Sequence, residues 1–557
     1  MSAESRLNVV LAWHMHQPQY RDLIDGAYAL PWTYLHAIKD YVDMAAHLEA
    51  VPAARAVVNF APILLEQIAD YAKQVQGFQN SGEPIRDPLL AALAQPELPT
   101  RREEQLRILK ACLRAHESRM IERFPAYRTL AAMARWLLEH PDGIDYVAER
   151  YLADLLVWYH LAWLGETVRR NDMRVRRLMH KASGFTLHDR SMLLGLIGEL
   201  LAGVIDRYAA LAKRGQVELS VTPYAHPILP LLLDIETARE AMPDVPLPAQ
   251  TSYPGGAERA HWHVREGIAT FERHFGFRPS GCWPAEGGVS DGALAVLGEH
   301  GLRWAATGEA VLQHSLKPEA GGKEKWLYQP YDVAGSSVAT FFRDDGLSDL
   351  IGFTYATWHA DDAVADLVSH LERIADACRD RPGAVVSIIL DGENAWEHYP
   401  ENGFWFLSAL YRRLAEHPRL KMTTFSECAA STTPLPHLVS GSWVYGTFST
   451  WVGDADKNRG WELLIDAKRA FDTAAPRLAP ARREAALRQL AVCEGSDWFW
   501  WFGDYNPETT VSDFDRLYRL HLVNLYRLLE LEPPQHLAQV FARGHGKPEH
   551  GGTMRKN

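Results

Sequence analysis

Seven short apolar segments of this chain end in polar or aromatic residues, and amphipathic stretches with helical spacing separate most of them. A short apolar run between turn signals predicts a strand that is buried on both faces. Alternation of such strands with helices predicts a parallel sheet, and seven repeats that close on themselves predict a (β/α)7 barrel. The predicted strands are residues 7–14, 54–60, 217–223, 278–283, 302–308, 337–343 and 384–390.

The gap between the second and third predicted strands is too long for one crossover. Residues 84–215 are rich in Leu, Ala, Arg and Glu at helical spacing, which predicts a helical insertion. Strand signals fade after Pro434, and residues 461–471, 480–494 and 512–531 are predicted to be helices. We therefore expect a barrel domain over 1–435, a C-terminal helical bundle over 436–543 and a disordered tail over 544–557.

Composition excludes several classes of protein. The net charge of −12 opposes a nucleic-acid partner, which requires clustered Lys and Arg. No apolar stretch approaches the ~20 residues of a membrane span, and no secretory signal precedes the first strand. The five scattered cysteines include no CxxC pair and are typical of reduced thiols. We expect a soluble cytoplasmic protein with no membrane partner, and its oligomeric state stays open.

The seventh predicted strand runs into Asp391, followed by Glu393, Asn394 and Trp396. Because burying a charge is costly, acidic residues cluster where a buried strand reaches the surface. In parallel α/β barrels the carboxyl ends of the strands carry the chemistry. Asp391 therefore has the position of a catalytic acid.

The fourth predicted strand supplies a second carboxylate, Glu286, after Trp283 and Pro284. A lone Glu between Pro and Gly is also typical of a turn or a helix cap. Paired with Asp391 at one barrel mouth, it matches glycoside hydrolysis, which needs one ionised and one protonated carboxyl group. The distance between the two carboxyl groups decides between retention and inversion of configuration, so both outcomes stay open at this point.

The first predicted strand ends in His14, His16 and Gln17, and alternation sends both histidines to the same side. Three interpretations are open: hydrogen bonding to a polar ligand, coordination of zinc as in other HxH sites, or a pair of satisfied core histidines.

Other strand ends offer weaker candidates. Arg343 can orient a carboxylate and Asp344 can bind sugar hydroxyls, but an internal salt bridge is an equal alternative. Tyr224 and His226 follow the third strand. Late in the chain, the aromatic run 494–501 contains Asp497 and Trp498 and suits either packing or sugar stacking.

Together these residues resemble glycoside hydrolase family 57, whose members act on α-glucans. The resemblance extends from about Asn8 to Tyr505. Four motifs carry it in order: His16-Gln17-Pro18, residues 215–219 (GQVEL), Trp283-Pro284-Ala285-Glu286, and Asp391-Gly392-Glu393-Asn394.

By this resemblance Glu286 is the nucleophile and Asp391 the general acid/base of a retaining, double-displacement mechanism, with no metal or cofactor. The histidines of the first strand then line the subsite of the first cleaved sugar. From the strand ends and the resemblance together, the candidate substrate-binding residues are His14, His16, Gln17, Tyr224, His226, Trp283, Arg343, Asp344, Glu393, Trp396, Asp497 and Trp498.

Within the family, the chain is most similar to the amylopullulanase-like and α-amylase branch. This similarity rests on Trp358 and on residues 394–397, 448–451 and 496–500. Branching enzymes of the family typically have cysteine after the nucleophile, where this chain has Gly287. We therefore expect a retaining hydrolase of α-1,4 bonds, with α-1,6 bonds as a further option. A 4-α-glucanotransferase is the first alternative and a zinc-dependent hydrolase the second.

Overall fold

A computed structural model describes residues 6–317 and 322–546, and its central feature is a closed parallel barrel. Seven strands follow the order β7-β5-β4-β3-β2-β1-β8, and pairing of β7 with β8 closes the ring. The predicted (β/α)7 barrel is confirmed, and each of its seven strands falls within a predicted apolar segment or one residue beyond it. The strands are β1 Leu7–Met15, β2 Ala56–Phe60, β3 Val217–Val221, β4 Gly281–Cys282, β5 Trp304–Gly308, β6 Tyr331–Val333, β7 Ala339–Arg343, β8 Val385–Asp391, β9 Leu420–Met422 and β10 Thr433–Leu435.

Alternation along the strands divides the core into two layers. In β1, Val9 and Leu11 belong to the large cluster that includes the surrounding helices, while Val10 and Ala12 belong to a small second cluster. That small cluster also contains Trp304 and other inward residues of the barrel strands. Both faces of each barrel strand are therefore buried, which explains why the sequence of each strand is a continuous apolar run.

Strand β4 is much shorter than its predicted segment, 278–283. A Cβ atom at Gly281 would lie 1.9 Å from Cε2 of Trp304, so the backbone here lies directly against an indole ring. Two residues after β4, Pro284 fixes the backbone φ and ends the ladder.

Helices surround the barrel, fill the long gap between β2 and β3, and dominate the C-terminal part. The α-helices are α1 Trp32–His36, α2 Val42–Ala50, α3 Pro62–Ser81, α4 Pro88–Ala94, α5 Arg102–Ala111, α6 Pro125–Glu139, α7 Glu149–Trp163, α8 Glu166–Asn171, α9 Met173–Lys181, α10 Leu187–Lys213, α11 Leu229–Leu233, α12 Gly256–Phe275, α13 Asp291–Glu299, α14 Glu309–Leu316, α15 Asp345–Asp349, α16 Ala360–Ala377, α17 Phe404–Ala415, α18 Phe425–Cys428, α19 Ala455–Ala474, α20 Pro480–Cys493, α21 Asp497–Trp501 and α22 Glu508–Leu528.

The three helices predicted near the C-terminus correspond to α19, α20 and α22. Most of the predicted disordered tail, residues 547–557, lies outside the described residues. At its start, backbone N–H groups of His545 and Gly546 donate to carbonyls of Asp504 and Asn506. Among the described helices, none is long and apolar enough to cross a membrane.

We predict that Gly281→Ala destabilises the protein. The Trp304 ring cannot yield easily, because it is buried and its Nε1–H donates to Glu218 at 2.7 Å. Overpacking of this kind costs about 1–3 kcal/mol of unfolding free energy. As a control, Gly203→Ala in α10 meets no atom within 4 Å and should stabilise by up to about 1 kcal/mol. Urea unfolding midpoints measure both changes, and an unchanged Gly281→Ala midpoint would contradict the prediction.

Candidate active site

A cavity of about 650 Å³ opens at the mouth of the barrel. Residues at the ends of β1, β4 and β8 form its floor, and the helical insertion and the C-terminal helices form its walls. The floor includes His14, His16, Gln17, Glu286, Asp391, Glu393 and Asn394, and the walls include Lys110, Arg114, Trp163, Asp497, Trp500, Trp501 and Asp513.

Glu286 is held in an unusual backbone conformation just after β4. Its φ of 55° lies in the left-handed region, which is rare outside glycine and costs about 1–3 kcal/mol. Trp443 holds it twice: the backbone N–H donates to the Glu286 carbonyl at 3.2 Å, and Nε1–H donates to Oε2 at 3.0 Å. Trp443 is in turn packed edge-on against Trp283, with ring centroids 5.2 Å apart.

Asp391 ends β8 and faces the same cavity. Burial raises the pKa of Asp391 to about 6, although Asn394 Nδ2 donates to its Oδ2 at 2.8 Å and opposes that rise. A carboxyl group with this pKa keeps part of its protons near neutral pH and can therefore act as a general acid.

Glu393 is a second buried acid beside Asp391. Burial and the neighbouring charge of Asp391 raise the pKa of Glu393 well above its usual range. Its Oε1 accepts hydrogen bonds from Gln17 Nε2 and from the His16 backbone N–H, each at 3.3 Å. Glu393 therefore joins the ends of β1 and β8 and is expected to be neutral.

Three histidines lie behind the acids. His14 Nδ1 is 2.7 Å from Asn59 Oδ1, and His14 Nε2 is 3.0 Å from His226 Nε2. Because Asn59 Nδ2 donates to Ser220, its Oδ1 must accept from His14, so His14 Nε2 accepts from His226. Burial lowers the pKa of His14 to about 3 and that of His226 well below its usual range, in agreement with neutral rings.

His14, His16 and His226 also form the one potential metal-binding group found within the described ranges, with ring nitrogens within 4.8 Å of one another. Zinc needs in-plane lone pairs that converge on one point at about 2.0–2.1 Å. The rings of His16 and His226 instead stack 3.7 Å apart and only 12° from parallel. Their lone pairs run side by side, so the arrangement favours a hydrogen-bonding role.

The C-terminal part of the chain completes the site. Asp497 Oδ1 lies 2.7 Å from His16 Nε2, and Ser496 Oγ lies 2.8 Å from His226 Nδ1. His16 Nδ1 is buried without a hydrogen-bond partner in the part of the chain that the structure describes, and the side chain lines the cavity. That nitrogen therefore has unused hydrogen-bonding capacity.

A buried ion pair anchors this segment. Glu494 accepts three hydrogen bonds from Arg259, two from Nε at 2.8 and 3.0 Å and one from Nη2 at 2.6 Å. His263 and Tyr253 provide further bonds. Arg259 and His263 belong to α12, which packs on the barrel. The attractions of Arg259 and His263 outweigh burial and lower the pKa of Glu494 to about 2.

The family profile of glycosyl hydrolase family 57 matches residues 10–436 of the 557. The chain belongs to glycosyl hydrolase family 57. The resemblance deduced from the four motifs is thereby confirmed, and the expectation of a glycoside hydrolase is confirmed at the level of the family.

Individual relatives are distant. A 1,4-alpha-glucan branching enzyme of Thermococcus kodakarensis is 26% identical over 162 residues, which is 25% of this chain and 21% of that protein. Its crystal structure shares the fold at 16% identity and a TM-score of 0.58, over 94% of this chain and 90% of the other. An α-amylase from Thermotoga maritima gives a TM-score of 0.57 at 14% identity, over 94% and 93% of the two chains.

In this family 57 barrel, seven of the predicted site residues line the cavity, and His226 contacts two of them. The other six stand behind its wall. Tyr224 donates to Glu66, Trp283 packs on Trp443, and Trp396 Nε1–H donates to the Gly392 carbonyl.

Of the remaining three, Arg343 makes the internal salt bridges that were one alternative, to Asp345 at 2.6 Å and Asp349 at 2.8 Å. Asp344 caps α15 and accepts from Tyr328. Trp498 is buried against Tyr518. Direct sugar contacts by these six residues stay predictions.

Sequence reasoning missed Asn59, Trp443 and Ser496. A buried amide in the apolar run of β2 was a usable signal for Asn59, since buried polar groups need partners. Ser496 directly precedes the predicted Asp497, which was a usable signal for it. Trp443 lies where strand signals have faded, and nothing local in the sequence connects it to the barrel mouth.

We predict that Glu494→Gln destabilises this family 57 protein by about 3–5 kcal/mol, because it leaves the buried Arg259 without its charge partner. The folded-state pKa of Glu494 is about 2, below its unfolded value of about 4.3. Its contribution to stability is therefore full above pH ~4.3 and is lost as the pH falls towards 2. The variant should lose this acid-dependent component.

Thermal unfolding between pH 2.5 and 7 measures both effects. The matched control is Glu484→Gln, whose partner Arg488 lies at the surface and whose own side chain is half exposed. Equal stability of the two variants at pH 7 would contradict the anchoring role of Glu494.

Proposed function

We propose that the chain is a retaining hydrolase of α-glucans that cleaves α-1,4 bonds through a covalent glycosyl-enzyme intermediate. The observation that carries the proposal is the pairing of Glu286 and Asp391 in one cavity, in different environments. The Glu286 carboxylate accepts an indole N–H, which stabilises its ionised form, whereas burial raises the pKa of Asp391 to about 6.

In the first step, an oxygen of ionised Glu286 attacks the anomeric carbon of the bound sugar. The bond from that carbon to the glycosidic oxygen breaks, and Asp391 transfers its proton to the leaving oxygen. Neutral Glu393 beside Asp391 avoids a second negative charge when Asp391 becomes ionised.

In the second step, Asp391 acts as a base. It removes a proton from a water molecule, whose oxygen attacks the anomeric carbon and displaces Glu286. The sugar leaves with its original configuration, since two displacements each invert it.

The α-glucan substrate is supported by the names of structures that share this fold. They include the 1,4-alpha-glucan branching enzyme, the α-amylase and a 4-alpha-glucanotransferase of Thermococcus litoralis. Trp500 and Trp501 add aromatic surface to the cavity wall, which suits the C–H face of a sugar ring.

Transfer of a glucan chain to a sugar acceptor is the second candidate reaction, and the shape of the site supports it. A further cavity of about 520 Å³ shares Leu30, Lys110, Arg114 and Asp513 with the first one. This extension provides room for a second sugar chain, whose hydroxyl can replace water in the second step.

We predict that Glu286→Gln and Asp391→Asn each lower kcat on maltoheptaose by at least about a thousandfold while the protein stays folded. Each change keeps the shape and removes either the nucleophilic charge or the transferable proton. Reducing-sugar release and circular dichroism measure activity and folding. The controls are Glu299→Gln and Asp380→Asn, which make the same chemical changes at exposed positions.

The products of the unmodified enzyme show whether water or a sugar hydroxyl accepts the glycosyl group. Shorter oligosaccharides alone, first formed as the α-anomer, support retaining hydrolysis, whereas a ladder that includes longer chains supports transfer. A β-anomer as the first product would exclude the retaining mechanism, and near-normal activity of either acid variant would refute its assignment.

We predict that kcat/KM falls as the pH rises above about 6, because Asp391 must be protonated to donate. Asn394 stabilises the ionised carboxylate, so Asn394→Ala should raise the pKa of Asp391 and move this alkaline limb to higher pH. The pH profile of maltoheptaose hydrolysis measures the shift. A limb that stays in place or moves to lower pH would contradict the role of Asn394.

A further inference from the structure

A second groove, of about 580 Å³, lies on the far side of the loop that bounds the active site. Glu397 in this loop lines the active-site cavity, whereas Tyr399, Pro400 and Gly403 line the groove. The walls of the groove are the start of α16 and one side of α17. The two sites are therefore separated by a single segment of chain.

Two exposed indole rings, Trp358 and Trp405, line this groove. Across the described ranges three tryptophans are exposed, and these two have 44% and 51% of their surface accessible. Trp136, at 52%, lies in the helical insertion outside the groove. Exposed aromatic surface gathered at one place marks a binding site more often than single exposed residues do.

Both rings contact neighbouring side chains that limit their rotamers. Trp405 Nε1–H donates to Glu401 at 2.9 Å, and the Arg170 guanidinium lies 4.9 Å from the indole centroid and forms an ion pair with Glu401. The Trp358 ring packs edge-on against Tyr355 at 5.4 Å. Because little side-chain entropy is left to lose, such rings are suited to bind a ligand face.

The loop between the two sites is fixed as well. Glu401 and Asn402 have φ values of 53° and 56°, in the left-handed region that non-glycine residues rarely adopt. Asn402 is anchored by Lys39 at 3.0 Å and Asp43 at 2.9 Å. Strained backbone persists where the surrounding contacts enforce it, and it clusters at functional sites.

We propose that this groove is a second binding site for α-glucan chains, with Trp358 and Trp405 as stacking platforms. Each pyranose ring presents a face of C–H groups and a rim of hydroxyls, which suits an indole face bordered by polar groups. Asp361, Ser408 and Arg412 supply such groups in the groove. Both charge signs are present, so the lining suits a neutral polymer.

The identity of the sugar rests on the proposed function. The groove adds a consequence for substrate choice: a branched polymer held there keeps its other chain ends close to the active site. Short oligosaccharides cannot occupy both sites, so the groove should favour glycogen or starch over them.

Affinity electrophoresis through gels that contain glycogen tests the proposal. The parent protein carries Glu286→Gln, so that glycogen is not consumed. Adding Trp358→Ala and Trp405→Ala together should weaken glycogen binding by about tenfold, with a smaller loss for each change alone. Trp405→Tyr keeps a flat ring and should restore part of the loss.

The matched control is Trp136→Ala, which removes an equally exposed indole and should leave glycogen binding unchanged. In the otherwise unmodified enzyme, the double variant should raise KM for glycogen while kcat/KM on maltotriose stays within about twofold. Thermal melting verifies that each variant is folded.

Three results would overturn the inference. The double variant could bind glycogen like the parent, Trp136→Ala could lose as much glycogen binding as the double variant, or the double variant could change its oligomeric state without losing glycogen binding. The last result, seen by sedimentation, would identify the groove as a contact between copies. If the unmodified enzyme cleaves maltoheptaose but the double variant binds glycogen normally, this inference alone fails. If it neither cleaves nor binds α-glucans, the proposed function fails too.

Discussion

Closure of the barrel is the constraint on which the site depends. Strand β7 meets β8 at one register position, Arg343 opposite Ser387, and the Arg343 side chain donates to the Ile389 carbonyl at 2.9 Å. A closed parallel barrel brings all carboxyl strand ends to one rim, while its apolar interior excludes charge. Near this rim Glu393 is fully buried, whereas Asp391 is only partly removed from water. This position explains why Asp391 remains ionisable and yet has a raised pKa.

The barrel alone does not complete the site, because the groups that orient its rim residues come from the C-terminal part of the chain. Asp497 and Ser496 contact His16 and His226, and Trp443 holds the nucleophile candidate Glu286. The buried pair of Glu494 with Arg259 fixes that segment to the barrel's own helix α12. The barrel and the C-terminal part of the chain therefore both contribute side chains to the candidate site.

Burial on both faces demands continuous apolar runs, so the sequence was sufficient to predict all seven barrel strands. Glu286 and Asp391, predicted from strand ends, both line the cavity, while their catalytic roles stay predictions. The sequence did not decide whether Arg343 orients a catalytic carboxylate or forms an internal salt bridge. In the structure Arg343 forms salt bridges to Asp345 and Asp349, a few residues away. The sequence also failed for long-range partners, since 157 residues separate Trp443 from Glu286 and strand periodicity contains no information on such pairs.

Asp391 at the end of β8 and Glu393 in the loop after it repel each other when both are ionised. Burial and the charge of Asp391 both favour the protonated form of Glu393, while hydrogen bonds from Gln17 and the His16 backbone fix its position. In the proposed mechanism Asp391 gives its proton to the leaving group; a neutral Glu393 then adds no repulsion, and Asn394 stabilises the new charge. Under that proposal, the raised pKa of Glu393 makes the change of charge on Asp391 less costly.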